Sequence, residues 1–261
     1  MTDKLSSHEP AIPDLLDRIR SRTPARVLAG SAGAGYRTEM QLDLRQAHAA
    51  ARDAVRTELD LERDLGAECC RHWQLFEAWT QARSKDEYLL RPDLGRQLRE
   101  DAVRTIQARC SPGADLQIVI GDGLSVTAVS AQVPGLLALI AQRAKGRGWT
   151  VGQPFVIRYC RVGVMNHIGD LLAPKVVALL IGERPGLATA ESLSVYMAYR
   201  PRAGHSDANR NLISNIHARG VPQEAAAERI VNLAAQMMTR ELSGVEIKEE
   251  LGGAQPDKLT P

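Results

Sequence analysis

Apolar residues recur with two different periods, and the change from one to the other divides the chain. Up to about residue 110 they return at steps of three and four, the spacing of one helix face. Residues 12–22 place Leu15, Leu16 and Ile19 together. That pattern predicts a short amphipathic helix, read as a docking helix, with targeting to a protein shell as a second reading. Met40, Leu44, Ala47, Ala51, Val55 and Leu59 predict a helix over residues 38–61. Residues 62–88 are irregular, polar and aromatic, with Trp73, Phe76 and Trp79, and read as a helix-and-loop connection over a core. Arg91-Pro92-Asp93-Leu94-Gly95 opens another helix, with proline in the first turn, where its missing N–H costs nothing. Leu94, Leu98, Val103 and Ile106 supply its apolar face up to Cys110.

From residue 116 the pattern changes. Residues 116–120, 154–159 and 176–181 are short apolar runs bounded by turn residues, which predict strands buried on both faces. Helical stretches at 126–145 and 164–172 separate them, the first interrupted by Pro134. Residues 194–200 suggest a further strand, and 222–242 a terminal helix with Ala225, Ile230, Leu233, Ala234, Met237 and Met238 on its packed side and Gly244 at its end. Strand, helix, strand, helix, strand predicts an α/β, Rossmann-like fold with a mostly parallel sheet and flanking helices, preceded by a mainly helical N-terminal region. The boundaries read as a tail and short helix at 1–23, a helical partner-docking region at 24–113, the sheet domain at 114–245 and a disordered tail at 246–261. Residues 1–9 also read as disordered.

Composition narrows the function by exclusion. The chain has 261 residues, 44% hydrophobic and 25% charged, with net charge +2 and 4% aromatics. That balance gives no electrostatic case for nucleic acid or membrane, and too few rings for base stacking. No run approaches a membrane span, and the N-terminus lacks the basic-then-apolar pattern of a secretory signal. Cys69, Cys70, Cys110 and Cys160 show neither zinc nor disulfide spacing, as in a reduced, cytoplasmic protein.

Candidate chemistry gathers in the loops after the three strands: Asp122-Gly123-Leu124-Ser125, Cys160-Arg161-Val162 and Gly182-Glu183-Arg184-Pro185-Gly186. In a parallel sheet they converge at the carboxyl edge, where open α/β sheets bind ligands. Glu183 would repel phosphate and suits a ligand rich in N–H donors, such as amides or an amine. Glu183 and Arg184 also read as an ion pair. Ser125, Asp122 and His167 lack the elbow of a hydrolase triad, and Ser125 reads equally well as a helix N-cap. His205, Asp207 and His217 match no metal spacing. Gly30, Gly33 and Gly35 have the look of a dinucleotide fingerprint without its βαβ unit, and read as a loop packed on a partner.

Five strings then fall in one order: residues 116–125, 154–162, 180–187 (LIGERPGL), 191–194 (ESLS) and 213–217 (ISNIH). Together they resemble the small (light) subunit of ethanolamine ammonia-lyase. Arg91 to Arg96 and His48 to Val55 are similar too, and the resemblance spans about residues 24–243. It implies a hetero-oligomer with a catalytic large subunit, using adenosylcobalamin to turn ethanolamine into acetaldehyde and ammonia by a radical route. The small subunit covers the cobalamin at the interface and is inactive alone. Carried over by motif, the cofactor contacts fall at Val162, Glu183 and Leu212, with no catalytic and no metal-ligating residue in this chain. Leu212 replaces a cysteine of enterobacterial relatives, and residues 31–36 replace a more basic run. The chain lacks the Asp-x-His-x-x-Gly motif that displaces the cobalamin base, which favours base-on binding. A microcompartment shell is an additional candidate partner, placing the chain in the cytoplasm or inside such a compartment. The rivals are a free-standing Rossmann-like nucleotide-binding enzyme and a purely structural subunit.

Overall fold

The computed structural model describes residues 12–21, 23, 25–27 and 30–249. The tail readings for residues 1–9 and most of 246–261 lie outside them. In chain order the elements are α1 (Ile12–Ser21), the hairpin strands β1 (Ser31–Ala32) and β2 (Gly35–Tyr36), α2 (Thr38–Arg56), α3 (Leu61–Leu65), α4 (Ala67–His72), β3 (Glu77–Trp79), α5 (Lys85–Leu90), a 3-10 turn (Leu94–Arg96) and α6 (Glu100–Arg109). There follow β4 (Leu116–Gly121), α7 (Val126–Gly146), β5 (Phe155–Arg158), α8 (Val164–Leu172), β6 (Val176–Gly182), β7 (Leu193–Tyr199), a 3-10 turn (Asp207–Asn209), β8 (Asn211–Ile216) and α9 (Gln223–Arg240).

The α/β class is as expected, and the large sheet is mixed. Its order is β3-β5-β4-β6-β7-β8. The first four strands pair in parallel, and β7 and β8 are antiparallel. Parallel pairing needs a crossover of about a dozen residues or more, usually carrying a helix. The 183–192 link between β6 and β7 carries none and turns back through Gly186 N–H to Thr189 O at 3.1 Å.

Strand β6 shows why the runs are continuously apolar. Val176, Ala178 and Leu180 join one core, and Val177, Leu179 and Ile181 join another on the opposite face. Helices α7 and α9 cover the first face; α6 and α8 cover the second. Because both faces are dry, the two-residue alternation of a half-solvated strand is absent.

Four local expectations fail, the first two for tertiary reasons. Helix α7 runs straight through Pro134. Val133, Leu136, Leu137 and Ile140 are fully buried, and that burial outweighs the roughly 3 kcal/mol that an interior proline costs. The helix predicted from Arg91 breaks into the Leu94–Arg96 turn and α6, because residues 97–99 are drawn onto the β3 segment. Gln81 N–H donates to Gln97 O at 2.9 Å, and Arg99 N–H to Trp79 O at 3.0 Å. Helix α2 ends at Arg56, five residues early, and α9 ends on Glu241 in the left-handed region rather than on Gly244.

At the amino edge of β4, Asp115 accepts from Thr150 N–H and Oγ1, both at 2.8 Å, and pairs with Lys175 at 2.7 Å. Lys175 first, then Thr150, hold its carboxyl down to about 2. A carboxyl depressed in the folded state contributes stability above its unfolded value, near 3.9, and loses it as pH falls towards 2. Asp115→Asn is therefore expected to melt below wild type near neutral pH, with the gap closing by about pH 2. Thermal melts across that range check it, and a constant gap would contradict the assignment.

Candidate functional site

The three sequence-predicted loops meet at one edge, joined there by the start of β7 and the end of β8. Contact between the first and third needs two glycines. Gly123 has φ +56°, and a Cβ on it would lie 2.5 Å from Gly182 O. A Cβ on Gly182 would lie 2.0 Å from Ser125 O. With neither present, Leu124 N–H donates to Gly182 O at 3.1 Å.

Glu183 is fixed by Ser192 just before β7, by Ser194 in β7 and by Asn215 in β8. Its Oε2 accepts from Ser192 Oγ at 2.8 Å; its Oε1 accepts from Ser194 Oγ at 2.6 Å and from Asn215 N–H at 3.0 Å. These donors, rather than Arg184, take the carboxylate. Three donors hold it in one orientation at the rim of a cleft of about 340 Å³. Tyr88, Leu124, Arg161, Tyr196 and Leu212 line the same cleft, and Leu212 is 46% exposed. Of the three expected contacts, Glu183 and Leu212 thus share one cleft. Val162 lines the adjoining one, of about 700 Å³, with Arg96, His167, His205 and Arg210. Arg161 borders both.

Beneath the clefts lies a buried charge network absent from the sequence reading. Asp122 is fully buried, and its Oδ1 accepts from Cys160 N–H at 3.0 Å. Its Oδ2 sits 3.9 Å from Lys85 Nζ and 4.0 Å from Arg158 Nε. Lys85 is also buried and donates to Gly123 O at 3.1 Å. Arg158 reaches on to Glu77 at 2.8 Å and Glu58 at 3.2 Å. Burial pushes the Lys85 ammonium below its ordinary value, and Asp122 opposes that. Burial, with the hydrogen bond to Glu58, pushes the Tyr159 phenol up to about 12. Nothing local marks Lys85 in the sequence, because its polar neighbours read as a surface connection.

The alternative sites do not assemble. Ser125 Oγ donates to Ala190 O at 2.6 Å and accepts from Ala128 N–H at 3.2 Å, so it serves as the N-cap of α7. His167 Nδ1 accepts from Leu98 N–H at 3.2 Å and is tied to neither Ser125 nor Asp122. His205 and Asp207 line the larger cleft, whereas His217 pairs with Asn215 Oδ1 at 2.7 Å. Among the described residues no group of three or more His, Cys, Asp or Glu could hold a metal. The Gly30–Gly35 segment forms the β1–β2 hairpin, with no phosphate-cradling helix N-terminus after a buried strand.

A family model for the ethanolamine ammonia-lyase light chain (EutC) matches residues 13–248. The chain belongs to this family. Among its light-chain relatives, the ethanolamine ammonia-lyase small subunit of Clostridium perfringens is 39% identical over 239 residues, 92% of this chain and 79% of the relative. That of Clostridium acetobutylicum is 40% identical over 233 residues, 89% and 94% of the two chains. That of Pseudomonas syringae pv. tomato is 38% identical over 253 residues, 96% and 88%. Three strings behind the resemblance, residues 180–187, 191–194 and 213–217, are the ones the fold gathers around the Glu183 carboxylate. As an ethanolamine ammonia-lyase light chain, the protein is a member of a lyase complex. None of its described helices is long and apolar enough to cross a membrane.

Proposed function

We propose that this chain is the cofactor-holding small subunit of an ethanolamine ammonia-lyase, covering adenosylcobalamin at its interface with a large subunit. The supporting observation is the fixed Glu183 carboxylate beside an exposed aliphatic side chain, Leu212, at the sheet's carboxyl edge. A carboxylate offers about four lone-pair sites, and three are taken by Ser192, Ser194 and Asn215. The remaining site, on Oε2, fits an N–H from the amide arms of a corrin. Leu212 and Val162 fit its apolar surface. When bound, adenosylcobalamin supplies the radical chemistry, and the protein supplies placement. A microcompartment shell as a further partner rests on α1, where Leu15 and Ile19 remain exposed.

The test is an absorbance titration of the reconstituted two-subunit complex with adenosylcobalamin. Wild type is expected to bind, and Glu183→Ala to bind about tenfold or more weakly, as for loss of a hydrogen bond to a charged group. Glu183→Gln keeps one oxygen acceptor and falls between them. The isolated chain is expected to show no deaminase turnover. Equal affinity in wild type and Glu183→Ala would remove Glu183 from the site, and turnover by the isolated chain would refute the placement role.

A further inference from the structure

The segment joining the two clefts is over-determined for a loop. Tyr159 adopts φ +55°, a left-handed conformation uncommon for a bulky side chain. Such strain persists only where the surroundings enforce it, and it concentrates at ligand sites. Here each backbone polar group from the carbonyl of Tyr159 to the N–H of Arg161 is held by a different element. Tyr159 O accepts from Thr80 Oγ1 at 3.1 Å, Cys160 N–H donates to Asp122, and Cys160 O accepts from Tyr88 OH at 2.9 Å. Arg161 N–H donates to Gly95 O at 2.8 Å.

The side chain so placed is a cation with no carboxylate partner among the described residues. Its guanidinium lies over the Tyr88 ring, 4.4 Å from the centroid. It makes no hydrogen bond or salt bridge to any described residue, and its buried Nε is unsatisfied. The two buried cations nearby contrast with it: Arg158 has Glu77 and Glu58, and Lys85 has Asp122 and Gly123 O. A guanidinium that is stacked, held by its backbone and left without an acceptor is set up for an acceptor from outside.

Resting on the cobalamin reading above, we propose that Arg161 is a further ligand-contacting residue, donating to a carboxamide carbonyl oxygen of the cofactor. Tyr88 is its positioning residue. Glu183 and Arg161 then present opposite polarities to one cleft, an acceptor for amide N–H and a donor for amide C=O. A primary carboxamide carries both groups, so the pair selects that chemistry over a carboxylate, which Glu183 repels.

The experiment is a double-mutant cycle in the assembled large–small complex, read as adenosylcobalamin affinity, with complex melting measured alongside. Arg161→Met, at a partly exposed position, is expected to weaken binding about tenfold or more while the complex still assembles. Tyr88→Leu is expected to lose a similar factor, most of it recovered in Tyr88→Phe, which keeps the ring under the guanidinium. In the Arg161→Met background, Tyr88→Leu is expected to add little, because its effect on binding runs through Arg161. If Tyr88→Leu fails to assemble, Arg161→Met against Arg161→Lys decides: lysine keeps the charge without the planar fork and recovers only part of the loss. Wild-type affinity in Arg161→Met would overturn the contact. An equal Tyr88→Leu loss in both backgrounds would overturn the positioning role. A wild-type complex that binds no cobalamin would refute the underlying function instead, so the two failures are distinguishable.

Discussion

Asp122→Ala is expected to cost the fold about 3–5 kcal/mol, the range for removing one partner of a buried ion pair. The carboxylate is fully buried and serves two demands at once. One oxygen satisfies Cys160 N–H at 3.0 Å, and the other faces Lys85 and Arg158 at 3.9 and 4.0 Å. Alanine leaves the N–H without an acceptor and Lys85, whose side chain is 6% exposed, without its counter-charge. The sign of the pH dependence follows from Lys85. Its ammonium is already pushed down by burial, and losing Asp122 removes the attraction that opposes this. A lysine with a folded pKa below its unfolded value binds more protons unfolded, so stability rises with pH. The Asp122→Ala penalty should therefore shrink as pH rises towards the ordinary lysine value of about 10.4. Asp122→Asn keeps an acceptor for Cys160 N–H and should cost less. Denaturant unfolding at several pH values measures all three effects. A loss below about 1 kcal/mol for Asp122→Ala would mean that Lys85 does not depend on it.

Gly182→Ala should destabilise by about 3 kcal/mol, the upper end of ordinary overpacking, because the clash is with the backbone of Ser125 rather than with a flexible side chain. The added Cβ would sit 2.0 Å from Ser125 O and 2.8 Å from Ser125 C. Ser125 cannot retreat cheaply. It caps α7 through Ala128 N–H, and its hydroxyl donates to Ala190 O. For a chain of this size that loss lowers Tm by on the order of 10 °C. Since Gly182 directly precedes Glu183, the cobalamin affinity proposed above should fall as well. Gly186→Ala is the control. It lies in the same loop, but its Cβ would find nothing nearer than 3.9 Å, so it should stay within about 0.5 kcal/mol of wild type. Equal melting of the two variants would show that the β6 loop yields to Ser125.

What could be read from the sequence tracks how locally each feature is encoded. Strands β4, β5 and β6 were legible because both faces are buried and every residue in them is covered. Strand β3 was not, since Glu77–Trp79 is three residues long and is held in the sheet by β5, about eighty positions later. Strand β8 was hidden for the opposite reason. It lies at the far edge, and only Ile213 and Ile216 are buried, so Asn211, Ser214 and Asn215 broke its pattern. The resemblance pointed to Val162, Glu183 and Leu212 without saying how they relate. The fold puts the last two in one cleft and the first in the next.

The sequence by itself determined the α/β class, the three central strands, the loop that carries Glu183 and the family. These follow from burial period, turn chemistry and ordered motifs, all of which are local. Only the tertiary structure decided that the sheet turns antiparallel after β6. It alone gave Glu183 its donors Ser192, Ser194 and Asn215, and gave Lys85 and Asp122 to each other. It also left Arg161 against Tyr88 with no acceptor among the described residues. Hydrogen bonds and ion pairs join groups tens of residues apart, and the residues between leave no periodic trace of which partner each will meet.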